Sequence, residues 1–365
     1  MDGAPTLEIP DRPERAWRPR RVVLTRAAMS WDHGRAMAER AAALGIPVTE
    51  LPTDRLALDL PDDPRRAYAL AKATLAVVVA PPSKRRLQPI APSADWRVDL
   101  AEGCPAHCSY CYLAGSLKGP PVTRAYANLP EILDALPRHL GTGTVTSRQE
   151  ARASEGTTFE ASCYTDPLGI EPITGSLAAA IAFFGAWDAD AQLRFTTKFD
   201  GVDPFLSIPH GGRTRMRASV APRAYARHEG GTSPVAARLR ALRRMADAGY
   251  PIGLTVAPIL AEPGWQEAYG ALLAEAGAAL DGAPATADLT VELITHRFTD
   301  ASKKVLTSWY PGSDLDMDEA TRSEKRTKFG AVKRVYERDT MRAVRAFFEQ
   351  EVPAHLPGAR TLYFT

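Results

Sequence analysis

The stretch Glu102-Gly-Cys104-Pro-Ala-His-Cys108-Ser-Tyr-Cys111-Tyr112 sets three thiols at the spacing C-x3-C-x2-C, directly after a strand-like run at residues 96–100. Thiolates are soft ligands suited to iron–sulfur clusters. A short loop can present three of them to one cubane and leave the fourth iron open for a substrate or cofactor. The same loop, with His107 beside it, also suits a tetrahedral zinc site, although structural zinc sites usually add a second ligand pair at a distance and none is visible here. Four cysteines in 365 residues are too few for a disulfide scaffold, and three of them crowd into eight positions. In a reducing compartment that crowding favours metal ligation.

Outward from the loop, short β runs at 96–100, 157–161, 193–197, 217–220, 252–257 and 289–295 alternate with helical patterns at 130–136, 176–184, 235–248 and 265–279. The alternation predicts a parallel α/β sheet or barrel, and about six strands are too few for a closed eight-strand barrel. Upstream, Val22-Val-Leu24, helical patterns at 36–44 and 65–73 and a strand at 75–80 predict a small α/β unit over residues 21–92, ending in a Pro/Lys/Arg linker at 81–92. Residues 1–20, rich in Pro and Arg, are expected to form a flexible arm. Residues 93–365 hold the main domain, with a charged helical extension after Asp300 and a final strand at 361–365. No run nears the roughly twenty apolar residues of a membrane span and the start lacks a signal peptide's apolar segment, so a cytoplasmic protein with no membrane partner is expected. With 45 basic and 43 acidic residues the formal charge is +2, so a nucleic acid would have to be met by a local basic surface.

With its flanks, the motif Gly103-Cys-Pro-Ala-His-Cys-Ser-Tyr-Cys-Tyr-Leu113 resembles the radical S-adenosylmethionine (SAM) superfamily, and within it the spore photoproduct lyase family of light-independent DNA repair enzymes. Further blocks carry the likeness in the family's order: Arg124-Ala-Tyr-Ala-Asn-Leu129, Phe159-Glu-Ala-Ser-Cys163 with Asp166, Leu193-Arg-Phe-Thr-Thr-Lys-Phe199, Gly230-Gly-Thr-Ser-Pro234, His296-Arg-Phe-Thr299 and Tyr363-Phe-Thr365. The resemblance implies a partial (β/α)6 TIM-type barrel of the radical SAM type, with a [4Fe-4S] cluster on Cys104, Cys108 and Cys111 and SAM chelated at the open iron. It implies damaged DNA as partner and an electron donor such as flavodoxin or ferredoxin. In that family a 5′-deoxyadenosyl radical takes a hydrogen from C6 of a methylene-bridged thymine dimer, the bridge breaks, and a cysteine returns a hydrogen. Cys163 matches the donor cysteine and Tyr112 the tyrosine that relays the hydrogen back. Tyr110, Thr165, Asp166, Lys198 and Ser219 match positions lining the SAM site. Taken as residues alone, Cys163 also fits a buried structural cysteine, Lys198 a surface lysine, and Tyr110, Asp166 and Ser219 barrel packing or capping.

Three departures fall on the substrate side. Tyr164-Thr165 precede Asp166 where the family has small polar residues, Lys328-Phe329-Gly330 stand for its Arg-Tyr-Gly, and Ser219-Val-Ala-Pro222 for its Ser-Ile-Asn. A bidentate guanidinium thus becomes a point charge and a phenolic hydroxyl is lost at the expected lesion contacts Lys328 and Phe329. Basic runs at Arg213, Arg215 and Arg217, at 238–244 and at 325–334 are candidate phosphate contacts, Arg215 and Lys325 foremost, with 238–244 read first as a solvated helix face. The implied function is lesion repair. The alternative is a radical SAM enzyme of the same fold acting on a different nucleic-acid lesion, a modified nucleoside, RNA or a peptide.

Overall fold

The computed structural model describes residues 16–117, 119–326 and 332–365. Its main sheet has seven parallel strands in sequence order, β1 (Ala94–Val98), β2 (Thr157–Ala161), β3 (Ala191–Thr197), β4 (Thr214–Val220), β5 (Ile252–Ile259), β6 (Thr290–Thr295) and β7 (Arg360–Phe364), with Gln88–Ile90 antiparallel on the β1 edge. The first six are the expected strands and the seventh is the chain's C-terminal run. The edges Gln88–Ile90 and β7 do not pair with each other, so the sheet is a partial barrel. Helices Pro167–Thr174, Ser176–Ala186, Val235–Asp247 and Trp265–Leu280 connect the strands, as parallel crossovers require.

Alternation along each strand builds two different faces. Phe159, Ala161, Leu193, Phe195, Met216, Ala218, Leu254, Val256, Val291 and Leu293 are all buried in one apolar cluster with the helices. The residues between them, Glu160, Arg194, Arg217, Ser219, Thr255 and Glu292, are buried and polar. Arg217 reaches both Glu160 and Glu292, the latter at 2.6 Å. Arg194 meets the other oxygen of Glu292 at 2.7 Å, and the Tyr363 hydroxyl donates to Glu292 at 3.0 Å. Gly253 makes the room: it pairs with Arg217 across β4 and β5, and a Cβ there would lie 2.9 Å from Arg217 Cγ.

The strand β4 begins three residues before the expected run because Arg215 and Arg217, which read as surface charge, point inward. Arg215 is 1% exposed and gives its hydrogen bonds to the Ile252 carbonyl, Gln192 and Asp288. It is therefore not a phosphate contact but a clamp joining β4 to β5 and to the turn before β6. Arg238 is buried as well, so the run 238–244 is only partly a solvated face.

The small unit is not the contiguous piece 21–92. Its sheet orders Val48–Glu50, Arg21–Leu24, Thr74–Val78, Thr123–Tyr126 and Ala101–Glu102, so two strands come from beyond residue 92. The stretch 81–92, expected as linker, holds a short helix, Pro82–Arg85, and the edge strand of the main sheet. Of the expected arm, residues 1–15 lie outside the described residues, while Trp17 packs on the core and the Arg20 N–H donates to the Ala73 carbonyl at 2.7 Å. After Asp300 the expected helices are present at Asp300–Trp309 and Arg338–His355, but an antiparallel pair, Arg322–Arg326 with Val332–Tyr336, stands between them. Among the described residues no single helix is long and apolar enough to cross a membrane.

Removing one partner of a buried ion pair leaves the other charge sealed without compensation. Arg217→Met is expected to cost about 3–5 kcal/mol in denaturant unfolding, by stranding Glu160 and Glu292. Arg243→Ala, at the half-exposed pair with Asp247, should stay below about 1 kcal/mol in the same assay.

Candidate active site

Beyond β1 the chain crosses to the small sheet at Ala101–Glu102 and turns at Gly103, whose φ of 78° and whose approach to the Val122 carbonyl, 2.3 Å from where a Cβ would sit, admit only glycine. The following loop is tied down by backbone pairing. His107–Cys108 forms a two-strand ladder with Glu229–Gly230, the Ser109 N–H donates to the His228 carbonyl at 3.0 Å, and the Ser109 hydroxyl and His228 Nδ1 are 2.9 Å apart. Cys104, Cys108 and Cys111 are all free and line one cavity of about 460 Å³ at the C-terminal ends of the barrel strands. Burial pushes the Cys104 and Cys108 thiols up to about 12 and raises Cys111 too, so all three are protonated until a metal displaces their protons.

The donor set fits an iron–sulfur cluster in type and number, three thiols on one wall. Among the described residues no three His, Cys, Asp or Glu side chains converge on a single ion. A cubane takes one thiolate per iron, so it asks for a wider set than one ion does. The residues lining the cavity also carry polar atoms with no hydrogen-bond partner among the described residues: Thr165 Oγ1 and both ring nitrogens of His296, all buried. Such atoms are costly unless a ligand or water answers them, which suits a polar cofactor such as SAM.

Beside the loop, Lys198, which follows β3, donates to Glu229 at 2.7 Å, to the Ser219 hydroxyl at 2.8 Å and to the Ala257 carbonyl at 3.1 Å. Arg238 holds the other Glu229 oxygen at 2.6 Å and the Ser219 carbonyl at 2.8 Å, and the Tyr110 hydroxyl donates to Glu229. Burial works against ionising Glu229, but Lys198 and Arg238 outweigh it and hold the carboxyl down to about 2. Asp166 caps helix Pro167–Thr174 through the Gly169 N–H at 3.2 Å and accepts from the Thr197 hydroxyl and the Lys198 N–H, each at 2.7 Å. Its oxygens are thus spent locking the end of β2 to that of β3. Tyr110, Thr165, Asp166, Lys198 and Ser219 all line the cavity with the three thiols.

Cys163 lines the same cavity, one residue beyond Ser162. Ser162 has φ 54°, and its hydroxyl accepts from the Leu100 and Ala101 N–H groups at 2.9 and 3.3 Å. Burial first, then Asp99 and Glu160, raises the Cys163 thiol further than any opposing effect of Arg97 and Arg217 lowers it. Tyr164, the first of the departures, lies with its ring under the Arg97 guanidinium at 4.5 Å. Tyr112 stands at the cavity mouth, exposed, with Arg297 5.7 Å from its ring centre. There the cavity adjoins a basic cleft lined by Arg297, Lys325, Lys333, Arg338, Arg342 and Arg345. Lys325 is therefore at the mouth. Lys328 and Phe329 lie outside the described residues.

Sequence reasoning passed over Glu229 and Lys72, quoted His296 without giving it a role, and read Arg238 only as part of a basic run. Arg238 was detectable: it shares a helix face with Val235 and Leu242, three and four residues away, both buried. Glu229 precedes a glycine pair and carries no periodic signal.

A family model described as spore photoproduct lyase matches residues 17–365. The chain belongs to the spore photoproduct lyase family. It is 38% identical to the spore photoproduct lyase of Geobacillus sp. (strain Y412MC61) and 36% identical to that of Bacillus subtilis (strain 168), each over 95% of this chain and 98% of the relative. A solved spore photoproduct lyase complexed with dinucleoside spore photoproduct superposes with a TM-score of 0.87, at 36% identity over 96% of this chain and 99% of that one. A substituted form of a spore photoproduct lyase, solved with bound AdoMet and dinucleoside spore photoproduct, gives 0.86 over 95% and 99%. The chain is thus a radical SAM lyase, with a [4Fe-4S] cluster and SAM as cofactors, as these family relations imply.

Gly103→Ala is expected to lower iron bound per chain after anaerobic reconstitution and to cost more than about 1 kcal/mol. The control is Gly270→Ala, in open space on a helix, which should leave iron content unchanged.

Proposed function

We infer that this chain repairs DNA by returning the methylene-bridged thymine dimer, spore photoproduct, to two thymines. The observation that carries this is that the thiol of Cys163 shares one cavity with the three cluster cysteines. When bound, the cluster and SAM supply a 5′-deoxyadenosyl radical able to take a hydrogen atom from C6 of the lesion.

The remaining work falls to the chain's own side chains. Lys198, Glu229, Arg238 and Ser219 form a rigid, charge-balanced wall beside the thiol loop. Their mutual bonds fix where a bound SAM can lie before any chemistry starts. Cys163 then gives its sulfur-borne hydrogen atom to the carbon radical left when the methylene bridge breaks. The S–H bond breaks, a C–H bond forms, and the unpaired electron moves to sulfur. A hydrogen-atom donor must be a thiol and not a thiolate, and the burial that raises Cys163 keeps it so at neutral pH. Tyr112, exposed at the mouth with Arg297 over its ring, is the candidate to restore the thiol: its O–H breaks, an S–H forms on Cys163, and the tyrosine O–H is remade with a hydrogen atom from the methyl group of 5′-deoxyadenosine. Tyr164, with Arg97 over its ring, is one of the departures that separate this reading from another substrate, and repair of spore photoproduct requires that the cavity accept both thymines beside it.

The basic cleft at the mouth suits a DNA backbone, with Lys325 and Lys333 on the antiparallel pair and Arg338, Arg342 and Arg345 on the helix behind it. Spore photoproduct stacks and pairs poorly, which lowers the cost of extruding it into the cavity. A substrate carried on chromosomal DNA goes with a cytoplasmic enzyme, and a small flavodoxin or ferredoxin is the class of electron donor that cluster reduction calls for.

Two measurements test this. Reconstituted protein incubated with SAM, dithionite and dinucleoside spore photoproduct should release thymidine dinucleotide together with 5′-deoxyadenosine. Deoxyadenosine without repaired dinucleotide would move the search to another substrate. In the same assay Cys163→Ala should keep SAM cleavage yet divert the thymine radical to a different adduct, and clean repair by that variant would remove Cys163 from the donor role. For the cleft, Lys325→Ala should weaken binding of lesion-bearing DNA and reduce the salt slope of log Kd by about 1.

A further inference from the structure

Helix Pro64–Lys72 of the small unit begins with a firm cap. Asp63 accepts from the Arg66 N–H at 2.8 Å and Pro64 takes the first helical position. It ends at Lys72, which is 6% exposed and lines the cavity of the three thiols. Lys72 Nζ donates to the Cys104 carbonyl at 2.5 Å and also to that of Ala106. One turn earlier on the same helix face, the Tyr68 hydroxyl lies 3.2 Å from His107 Nδ1 and 2.7 Å from the Tyr310 hydroxyl, and its ring meets the edge of His107 at 6.2 Å. One helix therefore grips the loop at Cys104, Ala106 and His107.

A buried ammonium ordinarily has a carboxylate partner, since an isolated buried charge is expensive. Among the described residues Lys72 has no carboxylate at ion-pair distance, and its hydrogen-bond acceptors are neutral carbonyls. It sits instead on the backbone of Cys104 itself and lines the cavity that Cys104, Cys108 and Cys111 share. The missing negative partner is what three thiolates on a cluster would provide.

We propose that Lys72 is a positioning residue of the cluster site whose ammonium is the built-in counter-ion of the thiolate-held cluster and raises its reduction potential. A cation beside the cluster stabilises the reduced form, which carries one more negative charge, over the oxidised form. The small unit would then act on the redox step from outside the barrel. This rests on the [4Fe-4S] assignment above.

The test uses the full chain, reconstituted anaerobically, as wild type and as Lys72→Gln, Lys72→Met and Lys72→Arg. Iron and sulfide per chain are measured first, then the cluster midpoint potential by EPR-monitored titration without SAM. Lys72→Gln keeps a donor for the loop carbonyls but loses the charge. It should load iron and shift the midpoint to more negative potential, with Lys72→Met shifting at least as far and Lys72→Arg staying near wild type. An unchanged midpoint in iron-loaded Lys72→Gln or Lys72→Met overturns the proposal. If both neutral variants fail to load while Lys72→Arg loads with the wild-type midpoint, the requirement for charge is upheld. Failure of Lys72→Arg alongside them would reduce Lys72 to a folding role and also overturn it. A wild-type chain that takes up no cluster would instead remove the cluster assignment itself.

Discussion

Charges sealed inside the barrel must be matched in place, and most of the structure follows from that. Arg194 and Arg217 face the lumen from neighbouring strands, and Glu155, Glu160 and Glu292 meet them there. Glu155 and Glu292 are each shared between guanidinium groups and Glu160 is held by Arg217, so a one-residue slip of β3 or β4 would turn guanidinium groups into the apolar helix layer and strand the carboxylates together. The apolar cluster holds helices to sheet and rejects such a slip as well. The ion network adds directional pairs between named strands, and together they fix the level at which the strand ends, and hence the cavity above them, stand.

Above that floor the site is assembled from segments far apart in sequence. The thiol loop leaves β1, is paired by backbone to Glu229–Gly230 after β4, and is gripped from behind by Lys72 and Tyr68. Lys198 at the end of β3 and Arg238 on helix Val235–Asp247 converge on Glu229. Glu229 thereby joins backbone pairing and charge balance at one point, beside Tyr110 and Ser219.

Much of this was legible in the sequence, for physical reasons. Three cysteines within eight positions admit few readings, and six runs with apolar residues at period two between helical patterns specify parallel strands. Arg215 and Arg217 were misleading because the same charge serves a phosphate contact or a lumen pair, and only the partners Asp288, Glu160 and Glu292, far along the chain, distinguish the two. Arg238 was lost among neighbouring arginines that do face solvent. The pair Arg322–Arg326 with Val332–Tyr336 was hidden because its strands are mostly charged or half-exposed and bury too little to show alternation. The small unit's hold on the thiol loop had no local signal, since Tyr68 and Lys72 look like ordinary helix residues until the loop is folded against them.

The burial of the cysteines has a bearing on the chemistry of waiting. Oxygen, peroxide and electrophiles attack cysteine as thiolate, and a thiol held protonated by an apolar, acid-lined surrounding reacts slowly with all of them. Cys163, pushed up by burial together with Asp99 and Glu160, and the loop thiols, pushed up first by burial and then by neighbouring carboxylates and thiols to about 12 in two cases, share that protection. The environment that keeps Cys163 protonated, as the donor role proposed for it requires, also slows oxidative loss of the side chain, and it leaves the loop chemically competent to accept iron whenever iron arrives.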